Sequence, residues 1–205
     1  MKSRNVISFS ILAMAAALLS GCKSDPQATA REHFEKGNQQ LAQQKYPEAI
    51  IEYRRAIQAD PRLGPARLQL ATAYASTADG ANALKEYARA AELMPEDDEA
   101  QIKAGNFMLL AGRHADAQGV AERMLARKPD NVRAQILLAN ALAGLKDLDG
   151  ALAAFEKAIS MDPTRAATYS DIGAVQLARG QSEEAESAFK KAIDTDPKSP
   201  LVHLA

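Results

Sequence analysis

Small and apolar residues recur along most of the chain with one period of 34 residues, and polar residues fill the positions between them. Five equally spaced prolines mark the period: Pro61, Pro95, Pro129, Pro163 and Pro197. Twelve residues before each proline the residue is always alanine: Ala49, Ala83, Ala117, Ala151 and Ala185. Twenty-four residues before it the residue is glycine or alanine: Gly37, Ala71, Gly105, Ala139 and Gly173. This regularity predicts repeated structural units that stack against one another.

Each of these columns has a physical cause in a pair of packed helices. Small side chains let two helix axes approach closely, and a large ring fills the space between successive pairs. The ring column, eight residues before each proline, holds Tyr53, Tyr87, Ala121, Phe155 and Phe189. Proline ends the second helix because it lacks an amide hydrogen and pushes its predecessor out of the helical region. Each unit is therefore predicted as helix, turn, helix and proline turn, with GRHADAQ, KDLDGA and RGQSEEA supplying turns within pairs.

This spacing and these columns resemble the tetratricopeptide repeat. The resemblance covers residues 30–199 as five units, 30–63, 64–97, 98–131, 132–165 and 166–199. It implies an all-α fold, a right-handed α-solenoid of five helix-turn-helix units. One column departs from the family, which often has tryptophan there: His33, Arg67, Gln101, Gln135 and Tyr169. Residues 200–205 are interpreted as the start of a truncated sixth repeat.

The chain begins with a different apolar pattern. Lys2 and Arg4 precede a mostly apolar stretch over residues 6–19. That stretch is shorter than the roughly 20 residues that a membrane-spanning helix needs. The layout predicts a secretory signal peptide over residues 1–21.

The residues Leu19-Ser20-Gly21-Cys22 resemble the lipobox of bacterial lipoproteins. The resemblance implies cleavage before Cys22, lipidation of its thiol and a lipidated tether over residues 22–29. Because Lys23 rather than aspartate follows, it also implies the cell envelope, at the periplasmic face of the outer membrane. The alternative is an ordinary signal peptide followed by an incidental cysteine.

Composition and motifs exclude several kinds of chemistry. The formal net charge of -1 gives no basic field for nucleic acid, so no nucleic-acid partner is expected. The three histidines, His33, His114 and His203, lack the spacing of metal ligands. The stretch Ser187-Ala188-Phe189-Lys190 matches a serine-x-x-lysine motif whose companion motifs are missing, and the acidic run at 96–99 lacks calcium-loop spacing. We therefore predict no catalytic residue, metal or cofactor.

A peptide-binding groove is the candidate site. First helices should line the concave side of such a solenoid. Twenty-three residues before each proline lie Asn38, Thr72, Asn106, Asn140 and Ala174. An asparagine amide can donate to and accept from a peptide backbone at once. The predicted groove residues are Asn38, Thr72, Asn106, Asn140, Arg31 and Arg133.

Apolar side chains flank this column on the same helical face. One flank is Phe34, Leu68, Ile102, Ile136 and Ser170, and the other is Leu41, Ala75, Leu109, Ala143 and Leu177. An alternative interpretation is that the apolar side chains pack first helices together and the asparagines bond neighbouring carbonyl groups.

These features predict a non-enzymatic adaptor that a lipid tethers to the membrane and that binds a protein or peptide partner. The chain is similar to repeat-family lipoproteins of type IV pilus biogenesis and of exopolysaccharide or PEP-CTERM systems. That similarity implies a role in assembling pilus, secretin or polysaccharide-export machinery. Two alternatives stay open. One is a targeting arm of an envelope enzyme whose catalytic domain lies beyond residue 205, and the other is a structural spacer.

Overall fold

A computed structural model describes residues 25–197, which form ten α-helices in antiparallel pairs. They are α1 (Pro26–Ala42), α2 (Tyr46–Ala59), α3 (Gly64–Ser76), α4 (Gly80–Leu93), α5 (Asp98–Leu110), α6 (His114–Arg127), α7 (Val132–Gly144), α8 (Leu148–Met161), α9 (Ala166–Ala178) and α10 (Ser182–Thr195). The prediction of an all-α solenoid is confirmed. The expected signal peptide at 1–21, Cys22 and the segment 200–205 lie outside the described residues.

The first helix begins earlier than the expected tether allows. Pro26 is its first residue, so residues 26–29 lie in α1 and not in a tether. The Asp25 side chain accepts a hydrogen bond of 3.0 Å from the amide of Gln27. A capping aspartate followed by proline at the first helical position is a favourable helix start.

Helices pack against their neighbours in chain order, within each pair and from one pair to the next. First helices also contact each other directly, α1 with α3 and α5 with α7. In residues 25–197, substantial helix contacts join only helices one or two places apart, which is the arrangement of a solenoid.

Both kinds of turn repeat their backbone geometry. The residue before each proline is out of the helical region, as for Asp60 with φ -134° and ψ 97°, and its amide still bonds the last turn of its helix. Within each pair, one turn residue has positive φ: Gln44, Ala78, Gly112, Lys146 and Gly180. These residues are 34 apart, so every repeat uses the left-handed conformation at the same point. Three of the five lack the glycine that this conformation favours.

The repeated columns form the buried core. All five alanines of the invariant column are 0 % exposed, and so are Tyr53 and Phe155 of the ring column. Gly37 shows why its position is small: a Cβ there would lie 2.5 Å from Cε1 of Tyr53. In the first and fifth repeats, the rings of Tyr53 and Phe189 therefore pack directly on the first helix of their own pair, at Gly37 and Gly173.

In the third repeat a different side chain fills the equivalent space. Its ring column holds Ala121, and Leu137 from the next repeat occupies the space above Gly105, where it would collide with an added Cβ. Leu137 is 2 % exposed and Met124 is 1 % exposed. A side chain from the following pair thus replaces the missing ring.

The column that often holds tryptophan in the family holds polar residues here. In the first two repeats these residues form polar contacts between the paired helices. His33 Nδ1 lies 2.6 Å from a carboxylate oxygen of Glu52, and this hydrogen bond lowers the pKa of Glu52. Arg67 pairs with Glu86 at 2.7 Å, with both side chains largely buried. In the third repeat the amide nitrogen of Gln101 donates to the carbonyl of Ala91 at 2.7 Å, and that carbonyl belongs to the preceding pair.

Candidate peptide-binding groove

Four side chains form what we call the polar row: Asn38, Thr72, Asn106 and Asn140. They lie on the first helices α1, α3, α5 and α7, one repeat apart in register. Three of them are partly buried, whereas Asn106 is exposed.

The ring column holds the first two members of the polar row in place. The hydroxyl of Tyr53 donates to Oδ1 of Asn38 at 2.9 Å. Burial raises the pKa of Tyr53 to about 12, so this hydroxyl keeps its proton. In the next repeat the hydroxyl groups of Tyr87 and Thr72 lie 3.1 Å apart, and Thr72 also donates to the Leu68 carbonyl. These contacts orient both residues.

The other two members differ from this pattern. Phe155 follows in the ring column and has no hydroxyl, and Asn140 donates to the carbonyl of Ile136 in its own helix at 3.2 Å. This is the alternative role expected for the asparagines. Asn106 makes no side-chain hydrogen bond within residues 25–197, so both its donor and its acceptor groups face solvent. Asn106 is the member of the polar row best placed to contact a peptide.

The apolar flanks likewise include both buried and exposed side chains. Leu68 and Ile102 are 6 % and 4 % exposed and belong to the core, as the packing alternative expects. At the far end of the array Leu177 is 51 % exposed. Leu177 on α9 is therefore the most exposed apolar side chain of the two flanks.

The predicted rim arginines lie apart from each other. Arg31 is on α1 and Arg133 on α7, both are exposed, and neither makes an ion pair within the described part of the chain. The structure does not bring them together into one cationic cluster. By contrast, Arg127 and Lys128 face the acidic run, where Arg127 contacts Glu96 and Lys128 lies 2.7 Å from Asp98.

Asp171 on α9 is not among the groove residues predicted from the sequence, and its neighbour Ser170 is predicted only as a member of one flank. Burial raises the pKa of Asp171 to about 6, and the hydroxyl oxygen of Ser170 is buried without a hydrogen-bond partner. In the sequence, Asp171 can be noticed because it carries a charge at the position where the previous repeat has Leu137.

Two further features of residues 25–197 bear on membrane and metal binding. No helix there has the length and apolar character that a membrane span requires. No group of three or more histidine, cysteine, aspartate or glutamate side chains there is arranged to hold a metal ion. A cleft of about 650 Å³ lies along α4, and none of its lining residues belongs to the polar row.

Comparison with known proteins agrees with this architecture. Profiles described as tetratricopeptide repeat match residues 109–166 and 142–205. The chain is 35 % identical over 105 residues to the Hsp70-Hsp90 organizing protein of Triticum aestivum, which covers 50 % of this chain and 17 % of that protein. It is 31 % identical over 112 residues to small glutamine-rich tetratricopeptide repeat-containing protein 2 of Saccharomyces cerevisiae, covering 50 % of this chain and 32 % of that protein. The matches thus span less than a third of each relative's length.

Solved structures show the same fold. MamA residues 41 to the end from Desulfovibrio magneticus RS-1 superposes with a TM-score of 0.73 at 20 % identity, covering 84 % of this chain and 97 % of that one. YrrB, described as a TPR protein with an unusual peptide-binding site, has a TM-score of 0.69 at 19 % identity, covering 84 % and 89 % of the two chains. Residues 26–195 therefore have the fold of a tetratricopeptide repeat array, and profiles of that family match residues 109–205 directly.

Proposed function

We propose that this protein is a non-enzymatic adaptor of the bacterial cell envelope that holds a peptide segment of a partner protein against its first helices. The observation that carries the proposal is the polar row, in which Asn106 leaves its donor and acceptor groups open to solvent. An extended peptide offers matching backbone groups along its length. The peptide-binding site named for YrrB supports this use of the fold.

The membrane attachment is part of the same proposal. Cys22 receives the lipid, and the array then follows at once, since α1 begins only four residues later. More than one acyl chain on the cysteine makes such anchoring stable, at about 0.8 kcal/mol for each buried methylene group. The binding surface is thereby held close to the periplasmic face of the outer membrane, where pilus, secretin or polysaccharide-export components are assembled.

Site-specific photo-cross-linking in bacteria tests the groove. A photoreactive amino acid replaces Ala174, which is exposed on α9 in the register of the polar row and leaves the row intact, and a matched variant carries it at Lys157, which is exposed on second helix α8. The adaptor role predicts a discrete cross-linked partner from position 174 and none from position 157. Equal capture at both positions, or none at 174, would contradict it.

The anchor is tested separately. Mass spectrometry of the wild-type N-terminal peptide should show acyl chains on Cys22, and a Cys22→Ser variant should lack them. An unmodified Cys22 in the wild type would refute the lipid anchor and leave the groove untouched.

A further inference from the structure

Asp171 on α9 is a partly buried carboxylate that lacks a counter-charge. Within residues 25–197 it makes no hydrogen bond or ion pair. Burial is the cause that raises its pKa, and no charged neighbour contributes. The Asp171 carboxylate therefore has hydrogen-bonding capacity that the array leaves unused.

The repeat register shows where this position faces. One repeat earlier, Leu137 packs against Gly105 of the preceding pair. Two repeats earlier, Lys103 donates to Thr72 at 3.3 Å and lies 5.9 Å from the centre of the Tyr87 ring. The position thus faces the preceding repeat, beside the polar row.

From the same register we infer that Asp171 lies near Asn140 and Phe155, the counterparts of Thr72 and Tyr87. Neither counterpart supplies a positive charge, and the Asn140 amide already donates to its own helix. Lys103, in contrast, has a carboxylate oxygen of Glu99 at 3.2 Å. The charge in this column is balanced in the third repeat and unbalanced in the fifth.

Next to Asp171 the helix also offers apolar surface. Leu177 on α9 is 51 % exposed, and the preceding turn presents Ala174, which is exposed as well. A long cationic side chain needs this combination, because its methylene stem packs on apolar groups while its charged head reaches a carboxylate. A partly buried carboxylate without a counter-charge favours an incoming cation.

We propose that Asp171 forms a subsite for the charged head of a lysine or arginine in the partner peptide. The ammonium or guanidinium group donates to the Asp171 carboxylate, and its stem lies along Ala174 and Leu177. This inference rests on the proposed peptide groove and adds to it a preference for a basic residue near the last described repeat.

Binding of defined peptide mixtures tests the subsite. The probes are fluorescent decapeptide mixtures, blocked at both ends and random except for a central lysine, arginine, norleucine or glutamate. With the full-length chain, anisotropy titrations should show about tenfold tighter binding of the lysine or arginine mixture than of the norleucine mixture.

Two variants separate charge from structure. Asp171→Leu copies the residue one repeat earlier, and Asp171→Asn keeps the side-chain shape. Both should lose the tenfold preference, and Asp171→Asn should bind the norleucine mixture as the wild type does. The matched Asn106→Ala variant should weaken binding of all four mixtures alike.

Each contrary result has a distinct meaning. If the wild type binds all mixtures equally, or if the variants keep the preference, the subsite is overturned and the groove stands. If the wild type binds none of the mixtures, the proposed groove fails and the subsite with it.

Discussion

Leu137 joins the third and fourth repeats, so its contact with Gly105 offers a direct test of how the array is held together. Leu137 is 2 % exposed, and a Cβ at Gly105 would collide with its methyl groups. Leu137→Ala should lower the free energy of unfolding by about 3–5 kcal/mol, as expected for a buried leucine that leaves a cavity.

Gly105→Ala places a methyl group in the space that Leu137 fills. The added methyl costs about 1–3 kcal/mol in overpacking, and the better helix propensity of alanine returns about 1 kcal/mol. In the double variant Leu137→Ala with Gly105→Ala, the new methyl group fills part of the cavity and the collision is gone. The double variant should therefore be about 1–2 kcal/mol more stable than the sum of the single effects predicts.

Urea unfolding followed by far-ultraviolet circular dichroism measures all four proteins, with Leu110→Ala as the control. Leu110 is 81 % exposed at the end of α5, so its truncation should change stability by about 0.5 kcal/mol or less. Additive single effects, to within about 0.5 kcal/mol, would refute the packing described for these two repeats.

Three further predictions concern turns, buried amides and pH. Ala78→Gly should stabilise the chain and Gly112→Ala destabilise it by about 1 kcal/mol each, since both positions have positive φ; thermal melts that show the opposite signs would contradict this. Gln135→Leu should raise the free energy of unfolding by about 1–2 kcal/mol, because the amide oxygen of Gln135 is buried without a hydrogen-bond partner. Gln101→Leu should lower the free energy of unfolding, because the Ala91 carbonyl would lose the hydrogen bond that Gln101 donates. Equal effects of the two variants in urea unfolding would count against both assignments. Burial raises the pKa of Asp171 from 3.8 to about 6, so the folded chain holds this proton more tightly than the unfolded chain does. The free energy of unfolding should therefore fall by about 1–3 kcal/mol as the pH rises from about 4 to 6. If the same pH dependence remains in the Asp171→Asn variant, it comes from other groups.

Most of the fold could be predicted from the sequence because the repeat register acts on the backbone in a simple way. Proline at each period ends a helix and forces its predecessor into an extended conformation, as at Asp60. Alanine at an invariant position permits close helix contact, as at Ala49, which is 0 % exposed. Such effects depend on one residue and its place in the unit.

Features that depend on two repeats were not predictable. The space above Gly105 is filled by Leu137 of the next pair, whereas the equivalent space above Gly37 is filled by Tyr53 of its own pair. The sequence column alone cannot distinguish the two sources. The start of α1 at Pro26 was missed because the residues before the first full unit lie outside the period.

The placement of the polar row on successive first helices could be predicted from the repeat register, and its internal hydrogen bonds could be predicted only in part. The polar row lies on successive first helices, but internal hydrogen bonds already engage Asn38, Thr72 and Asn140. Whether an asparagine is engaged depends on its neighbour: a tyrosine hydroxyl reaches Asn38, whereas Asn106 has the methyl group of an alanine in the ring column. The unpaired state of Asp171 likewise depends on the residues opposite it.

The most direct test of the central claim is the affinity of the partner, once captured by cross-linking, for the Asn106→Ala, Asn140→Ala double variant. Isothermal titration calorimetry measures the affinity, and circular dichroism checks that the helical content is kept. Peptide binding along the polar row predicts at least tenfold weaker binding at unchanged helical content. Wild-type affinity in a fully folded double variant would contradict it.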